Sequence, residues 1–261
     1  MYFRYFFYHL STGVWDNFEL GLFHWDHIVW LIMAATALPL LLWLCRNMSR
    51  EAMWRMFKIM AVCLLITEVI KIIIPLWQTG YFDFAEDLPL WLSSMFVYLM
   101  PFLAWGKGRV RKVAIYSIVC IYFFSGILTM VMPLILYYYR VFTFFGLHSL
   151  VYHWLMIFVA LLLYMHGHAK FEFKKLWVIL IPFLTMTTIA GIANIIWGGD
   201  YMFLRDGEFT PFAMFNFLPH PIYISVVITA HLIMFFLTAC LFIFLDRRRE
   251  RKRAGRTPEQ G

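Results

Sequence analysis

Leu88-Pro89-Leu90-Trp91-Leu92-Ser93-Ser94 opens an apolar run that continues to Trp105. An apolar helix needs about 20 residues to cross roughly 30 Å of hydrocarbon, and residues 88–105 come close to that length. The pattern predicts a transmembrane helix with two hydroxyls, Ser93 and Ser94, just inside one end. Pro89 then falls in the first turn, where its missing N–H is harmless.

Working outward, comparable runs lie at 27–45, 57–77, 111–132, 144–166, 175–197 and 218–245. With 88–105 they make seven spans, and the expectation is an all-α, polytopic membrane helical bundle. The runs are too long for the alternating strands of a barrel. A single bundle domain over 1–245 and a basic, disordered cytoplasmic tail over 246–261 complete the expected organisation.

The connecting segments test this reading. Arg46, Arg50, Arg55 and Lys58 follow the first span; Lys107, Arg109, Arg111 and Lys112 follow the third. Lys170, Lys174 and Lys175 follow the fifth, and the tail from Asp246 carries seven basic against three acidic side chains. The intervening loops hold Asp83, Glu86 and Asp87, then Arg140 alone, then Asp200, Arg205, Asp206 and Glu208. By the positive-inside rule the N-terminus is outside, the C-terminus cytoplasmic, and the span count odd. Trp25, Trp77, Tyr81 and Trp197 fit an aromatic belt at the outer boundary.

Composition agrees. The chain is 63% hydrophobic and 14% charged, more apolar surface than one soluble core could hide. The net charge of +7 is concentrated next to spans, which predicts topology anchors near anionic lipid and no nucleic-acid partner. Cys45, Cys63, Cys120 and Cys240 fall in spans as buried small hydrophobes, without disulfide or zinc spacing. Met1–Leu10 lacks a small-residue cleavage site, so no removable signal peptide is expected. Residues 133–143, rich in tyrosine, suggest an interfacial half-helix. No repeat pairs two broken helices, which argues against a repeat-built transporter.

The intramembrane polar residues gather at one depth. Travelling inward, Ser93 lies ~7.5 Å below Leu88 and His148 ~6 Å below Phe144. Glu68 and Lys71 occupy the outer third of the second span at (i, i+3), on one face. Asn194 comes near the outer end of the sixth, and Asn216 and His220 stand at the mouth of the seventh. Ionisable groups persist in hydrocarbon mainly where they face one another or a wet cavity, so an outward-opening polar pocket is expected.

A hydroxyl and an imidazole are the minimum for acyl transfer, because serine needs a base to become a nucleophile and histidine can return the proton. A carboxylate or amide can orient the ring. Structural readings stand beside these. Serines in membrane helices are commonly small packing residues; Glu68 and Lys71 suit an ion pair as well as a pocket wall; His27 and His153 suit local hydrogen bonds. His166 and His168, at the cytoplasmic end, are weak evidence for a metal, and none is expected.

The same residues resemble the YwaF-like bacterial integral membrane proteins, which are related to a eukaryotic transmembrane acyltransferase that makes polyunsaturated ether phospholipids. That family's L-P-L-H-L-C is similar to Leu88-Pro89-Leu90-Trp91-Leu92-Ser93; its G-x-L before a proline is similar to Gly126-Ile127-Leu128 and Pro133. F-F-x-x-H is matched by Phe144-Phe145-Gly146-Leu147-His148, and a late pattern by Asn194, Asp200–Leu204, Pro211 and Pro221–Ile224. The resemblance spans roughly residues 27–240. It implies an acyl-accepting residue at position 93 with a histidine partner. Trp91 replaces the usual histidine and Ser93 the usual cysteine, which demands stronger base assistance than a thiolate would. More distant membrane hydrolases of fatty-acid esters use threonine with histidine.

The expectation is therefore a lipid acyltransferase or lipid-ester hydrolase in the cell membrane, with phospholipid as acyl donor and no cofactor. Ser93 and His148 are the catalytic candidates, and Glu68, Lys71, Ser94, Asn194 and His220 the substrate-binding ones. The other reading is a non-catalytic membrane protein that binds or transports a lipid or small solute.

Overall fold

A computed structural model of the chain describes residues 6–9, 23–208 and 210–254. Most of the N-terminal stretch read for a signal peptide, and the last seven residues of the tail, lie outside the described residues. Among the described residues seven α-helices follow in order: α1 Trp25–Cys45, α2 Arg50–Thr79, α3 Met95–Trp105, α4 Gly108–Val131, α5 Phe144–Met165, α6 Leu180–Trp197 and α7 His220–Ala254. Six of them are long and apolar enough to cross a membrane. The exception is α3.

Local chemistry sets several boundaries. Ser49 caps α2 by accepting the Ala52 N–H at 3.2 Å, and Gly80 ends it in the left-handed region at φ 67°. Thr143 caps α5 through the Gly146 N–H. The 133–143 segment forms one 3-10 turn, Leu134–Tyr137, and then irregular chain; with Leu136, Tyr139 and Val141 buried it is anchored in the bundle and is no interfacial half-helix. Helix α7 does not stop at 245 but runs through Ala254, so the first part of the expected disordered tail is helical.

The expected third span, 88–105, is corrected most. Its helix begins only at Met95 and its 11 residues reach roughly 16 Å at ~1.5 Å per residue, about half the hydrocarbon. Residues 88–94, which the sequence reading put in the same span, form turns and bends. Unwound backbone is tolerated there because tyrosines from other elements take up its polar groups. The Leu88 N–H donates to Tyr201 Oη at 2.9 Å; Tyr98, Tyr122 and Tyr152 hydroxyls donate to the carbonyls of Pro89, Leu92 and Ser93 at 3.1, 3.1 and 2.8 Å.

The helices pack antiparallel, so loops of one charge collect at each end. Trp54 near the start of α2 meets Arg111 near the start of α4, while His166 at the end of α5 bonds the Cys45 carbonyl at the end of α1. At the other end Glu68 of α2 meets His148 near the start of α5, and the 200–207 loop meets the chain before α3. We call these the basic and acidic ends. Trp25, Trp77, Tyr81 and Trp197 are exposed at the acidic end, as an aromatic belt requires.

Helix α4 forms the centre, with residues 114–122 buried without interruption. Gly126 lets it approach α5 closely: a Cβ there would meet Ile157 Cγ1 at 2.8 Å and the His153 carbonyl oxygen at 3.0 Å. Ile32, Ile59, Ile195 and Leu237 instead face outward, a surface that hydrocarbon covers. Cys63 is also exposed on it, contrary to the expected burial, whereas Cys45 and Cys120 are buried.

Candidate functional site

One turn separates Glu68 from Lys71 on α2, and they share a face because three residues advance close to one full turn. Lys71 Nζ lies 2.5 Å from Glu68 Oε1. Across from them, one turn into α5, His148 Nε2 lies 3.7 Å from Glu68 Oε2. The side chains of Glu68, His148 and Lys71 are 8%, 11% and 23% exposed, so the carboxylate is the innermost group and the ammonium reaches toward the surface. His148 Nε2 is buried without a partner at hydrogen-bonding geometry, and Nδ1 has no hydrogen bond among the described residues. The imidazole thus turns one nitrogen toward a carboxylate and leaves the other uncommitted.

Ring stacking carries the cluster toward the unwound segment. Tyr152, one turn below His148 on α5, stacks on the imidazole with centroids 5.7 Å apart and planes 17° from parallel. Its hydroxyl donates to the Ser93 carbonyl and accepts the Val97 N–H at 3.1 Å. Phe96 wedges edge-on against Tyr122 and Tyr152, which fixes both phenols. Tyr152 therefore connects the imidazole, at its ring face, with the Ser93 backbone, at its hydroxyl. Ser93 is half-buried and Ser94 buried, and neither hydroxyl has a hydrogen bond among the described residues.

Asn194 and His220 belong to a separate scaffold at the acidic end. The Asn194 amide donates to the Tyr201 carbonyl at 3.0 Å and accepts the Tyr201 N–H at 2.8 Å. His220 Nε2 bonds the Leu204 carbonyl at 3.1 Å, and Tyr223 donates to the Phe203 carbonyl at 2.9 Å. Between them they hold Met202 and Phe203, both at positive φ (57° and 59°), a conformation that side-chain-bearing residues adopt only when held. Tyr201 then passes this order on: its hydroxyl donates to the Phe84 carbonyl at 3.0 Å and receives the Leu88 N–H. Trp91 packs edge-on against Tyr201 at 5.3 Å.

His27 and His153 make local bonds, to the Met130 carbonyl at 3.0 Å and the Ser149 carbonyl at 2.7 Å. What the sequence reading missed is the tyrosine set, Tyr98, Tyr122, Tyr152 and Tyr201. Its signal was present, since phenols inside apolar spans need partners and Tyr152 stands four residues from His148.

These features define a multi-pass membrane protein with a carboxylate, an ammonium and an imidazole clustered inside one end of its helical bundle, beside an unwound serine-bearing segment. The chain belongs to the TMEM164 family, which matches residues 22–245. Comparison with curated proteins and with solved structures finds no match.

Proposed function

We propose that the protein transfers or hydrolyses the acyl group of a membrane lipid, in line with the resemblance to YwaF-like proteins and their ether-phospholipid acyltransferase relative. The observation that carries this reading is Glu68 facing His148 at 3.7 Å while Tyr152 links His148 to Ser93. A carboxylate behind an imidazole supports the charge the ring gains as a base. Ser93 Oγ attacks the ester carbonyl carbon, His148 takes the serine proton through Nδ1, and the ester C–O bond breaks as that proton passes to the departing lysolipid alkoxide. A second alcohol, or water, then attacks the acyl-serine with His148 again taking and returning the proton. Lys71 offers a cation to the lipid phosphate; Ser94 flanks the nucleophile; Asn194 and His220 act indirectly by holding the segment that presents Ser93. The phospholipid enters from the leaflet at the acidic end, which faces outward across the cell membrane, and the chemistry needs no cofactor.

A second reading, a non-catalytic protein that binds or carries a lipid or small solute, is favoured by the 2.5 Å Glu68–Lys71 pair, which already gives the carboxylate a counter-ion. Acyl exchange on mixed phospholipids by the purified protein separates the two. Under the first reading Ser93→Ala and His148→Ala each abolish exchange, and a fluorophosphonate labels wild type but not Ser93→Ala. Exchange that persists in either variant removes the assignment, and a folded wild type that neither labels nor exchanges favours the second reading.

A further inference from the structure

The basic end holds a cluster that the acyl-transfer reading does not use. Arg50 is the first residue of α2, Trp54 follows one turn on, Arg111 lies in the opening turn of α4, and His168 comes just after α5. The Arg111 guanidinium lies 4.2 Å from the Trp54 ring centroid, and the His168 ring 5.2 Å from it on the same indole. Among the described residues Arg50 acts electrostatically on both Arg111 and His168, His166 and Arg111 act on His168, and no carboxylate acts on Arg111 or His168. Glu51, next along the chain, is turned to Arg55 at 3.4 Å.

The hydrogen-bonding inventory is equally one-sided. Trp54 Nε1 and Arg111 Nε are both buried donors with no acceptor, and Arg111 spends one other N–H on the Ala104 carbonyl at 3.3 Å. Lys107, at the N-cap of α4, supplies no side-chain acceptor to the helix's first N–H groups, whose dipole adds positive potential at the same place. Buried donors without acceptors and cations without counter-ions are each unfavourable, and one anion relieves both. The guanidinium fork suits a tetrahedral oxyanion, and basic clusters at the ends of membrane spans attract anionic lipid head groups.

We propose that Arg50, Trp54, Arg111 and His168 form a phosphate-binding site at the basic end of the bundle, separate from the Glu68–His148 cluster. The phosphate is that of an anionic lipid head group or of a soluble phosphate, and the oxygens accept from Arg111 Nε, Trp54 Nε1 and Arg50.

The test uses the full chain in detergent micelles, with thermal unfolding followed as inorganic phosphate, phosphatidic acid or phosphatidylcholine is added. Phosphatidic acid is expected to raise the midpoint, and Arg111→Gln and the exposed Arg50→Gln each to weaken the apparent affinity about tenfold, the loss of one charge-assisted hydrogen bond. Arg55→Gln, which alters net charge equally, leaves it unchanged. A matching rise with inorganic phosphate assigns a soluble ligand; a rise with phosphatidic acid alone assigns a head group. The proposal is overturned if neither phosphate source raises the midpoint, or if the rise survives both Arg50→Gln and Arg111→Gln, which would place the anion on the basic tail. Should Arg111→Gln not fold, Arg50→Gln decides the outcome by the same criterion. Acyl exchange plays no part in this readout, so its absence leaves the phosphate site standing.

Discussion

The hydroxyl of Tyr152 donates to the backbone carbonyl of Ser93 at 2.8 Å, joining the middle of α5 to a segment that is not helical. The same oxygen accepts the Val97 N–H, so a single phenol serves two backbone groups at the point where the unwound chain becomes α3. Because its ring also stacks on His148, the position of Ser93 and the orientation of the imidazole depend on one side chain.

Tyr152→Phe keeps the ring and removes the oxygen. It removes one of two donors from the Ser93 carbonyl, which keeps the Phe96 N–H, and one of two acceptors from the Val97 N–H, which keeps the Ser94 carbonyl, a loss of about 0.5–1.5 kcal/mol. We expect a lower thermal midpoint together with faster proteolysis or hydrogen exchange centred on residues 88–97; a midpoint equal to wild type would show that the phenol does not hold the segment.

Glu68→Gln strips the charge that faces both Lys71 and His148, leaving a partly buried ammonium without its counter-ion. The expected destabilisation is on the order of 3 kcal/mol. Glu68→Gln combined with Lys71→Met removes both charges and should restore much of the stability, which thermal unfolding in detergent will read. Equal midpoints for the single and double variants would mean that the two side chains do not form an ion pair.

Gly126→Leu places a side chain where Ile157 and the His153 carbonyl already lie within 3.0 Å of a Cβ. Helices α4 and α5 must separate, with an overpacking penalty of about 1–3 kcal/mol. Thermal unfolding should show the loss, and Gly126→Ala should fall between wild type and the leucine variant.

The acidic end carries a pH dependence of definite sign. Although Glu86 is exposed, desolvation by the surrounding loops, with the neighbouring charges of Asp83, Asp87, Asp200 and Asp206, raises its carboxyl above its ordinary value. A carboxyl raised on folding binds its proton more tightly in the folded state. Its contribution is therefore fully present below the unfolded value near 4.5 and is lost as pH climbs through the raised one. Glu86→Gln should increase the midpoint at pH 7 and make little difference at pH 4. A lower midpoint at pH 7 would mean that the charge is welcome in that loop.

How much of this was legible in the sequence differs from element to element. Helices α2, α4, α5 and α6 follow from their apolar runs, and the acidic and basic ends follow from alternating loop charge. The pairing of Glu68 with Lys71 was legible as an (i, i+3) spacing, because both lie on one helix. The approach of His148 to Glu68 was legible only as a common depth, since the rotation of each helix about its axis leaves no trace in a single chain's hydropathy. Asn194 and His220 were legible as polar residues at helix ends, but not as the bracket of the 200–207 loop.

The sequence by itself determined a multi-pass helical bundle with oppositely charged ends, because hydrocarbon tolerates a backbone only when long apolar runs satisfy their own hydrogen bonds. The tertiary structure alone decided that residues 88–94 stay unwound. Their carbonyls and N–H groups find partners in Tyr98 on α3 and in the more distant Tyr122, Tyr152 and Tyr201, and no local pattern around Ser93 records that those phenols will arrive.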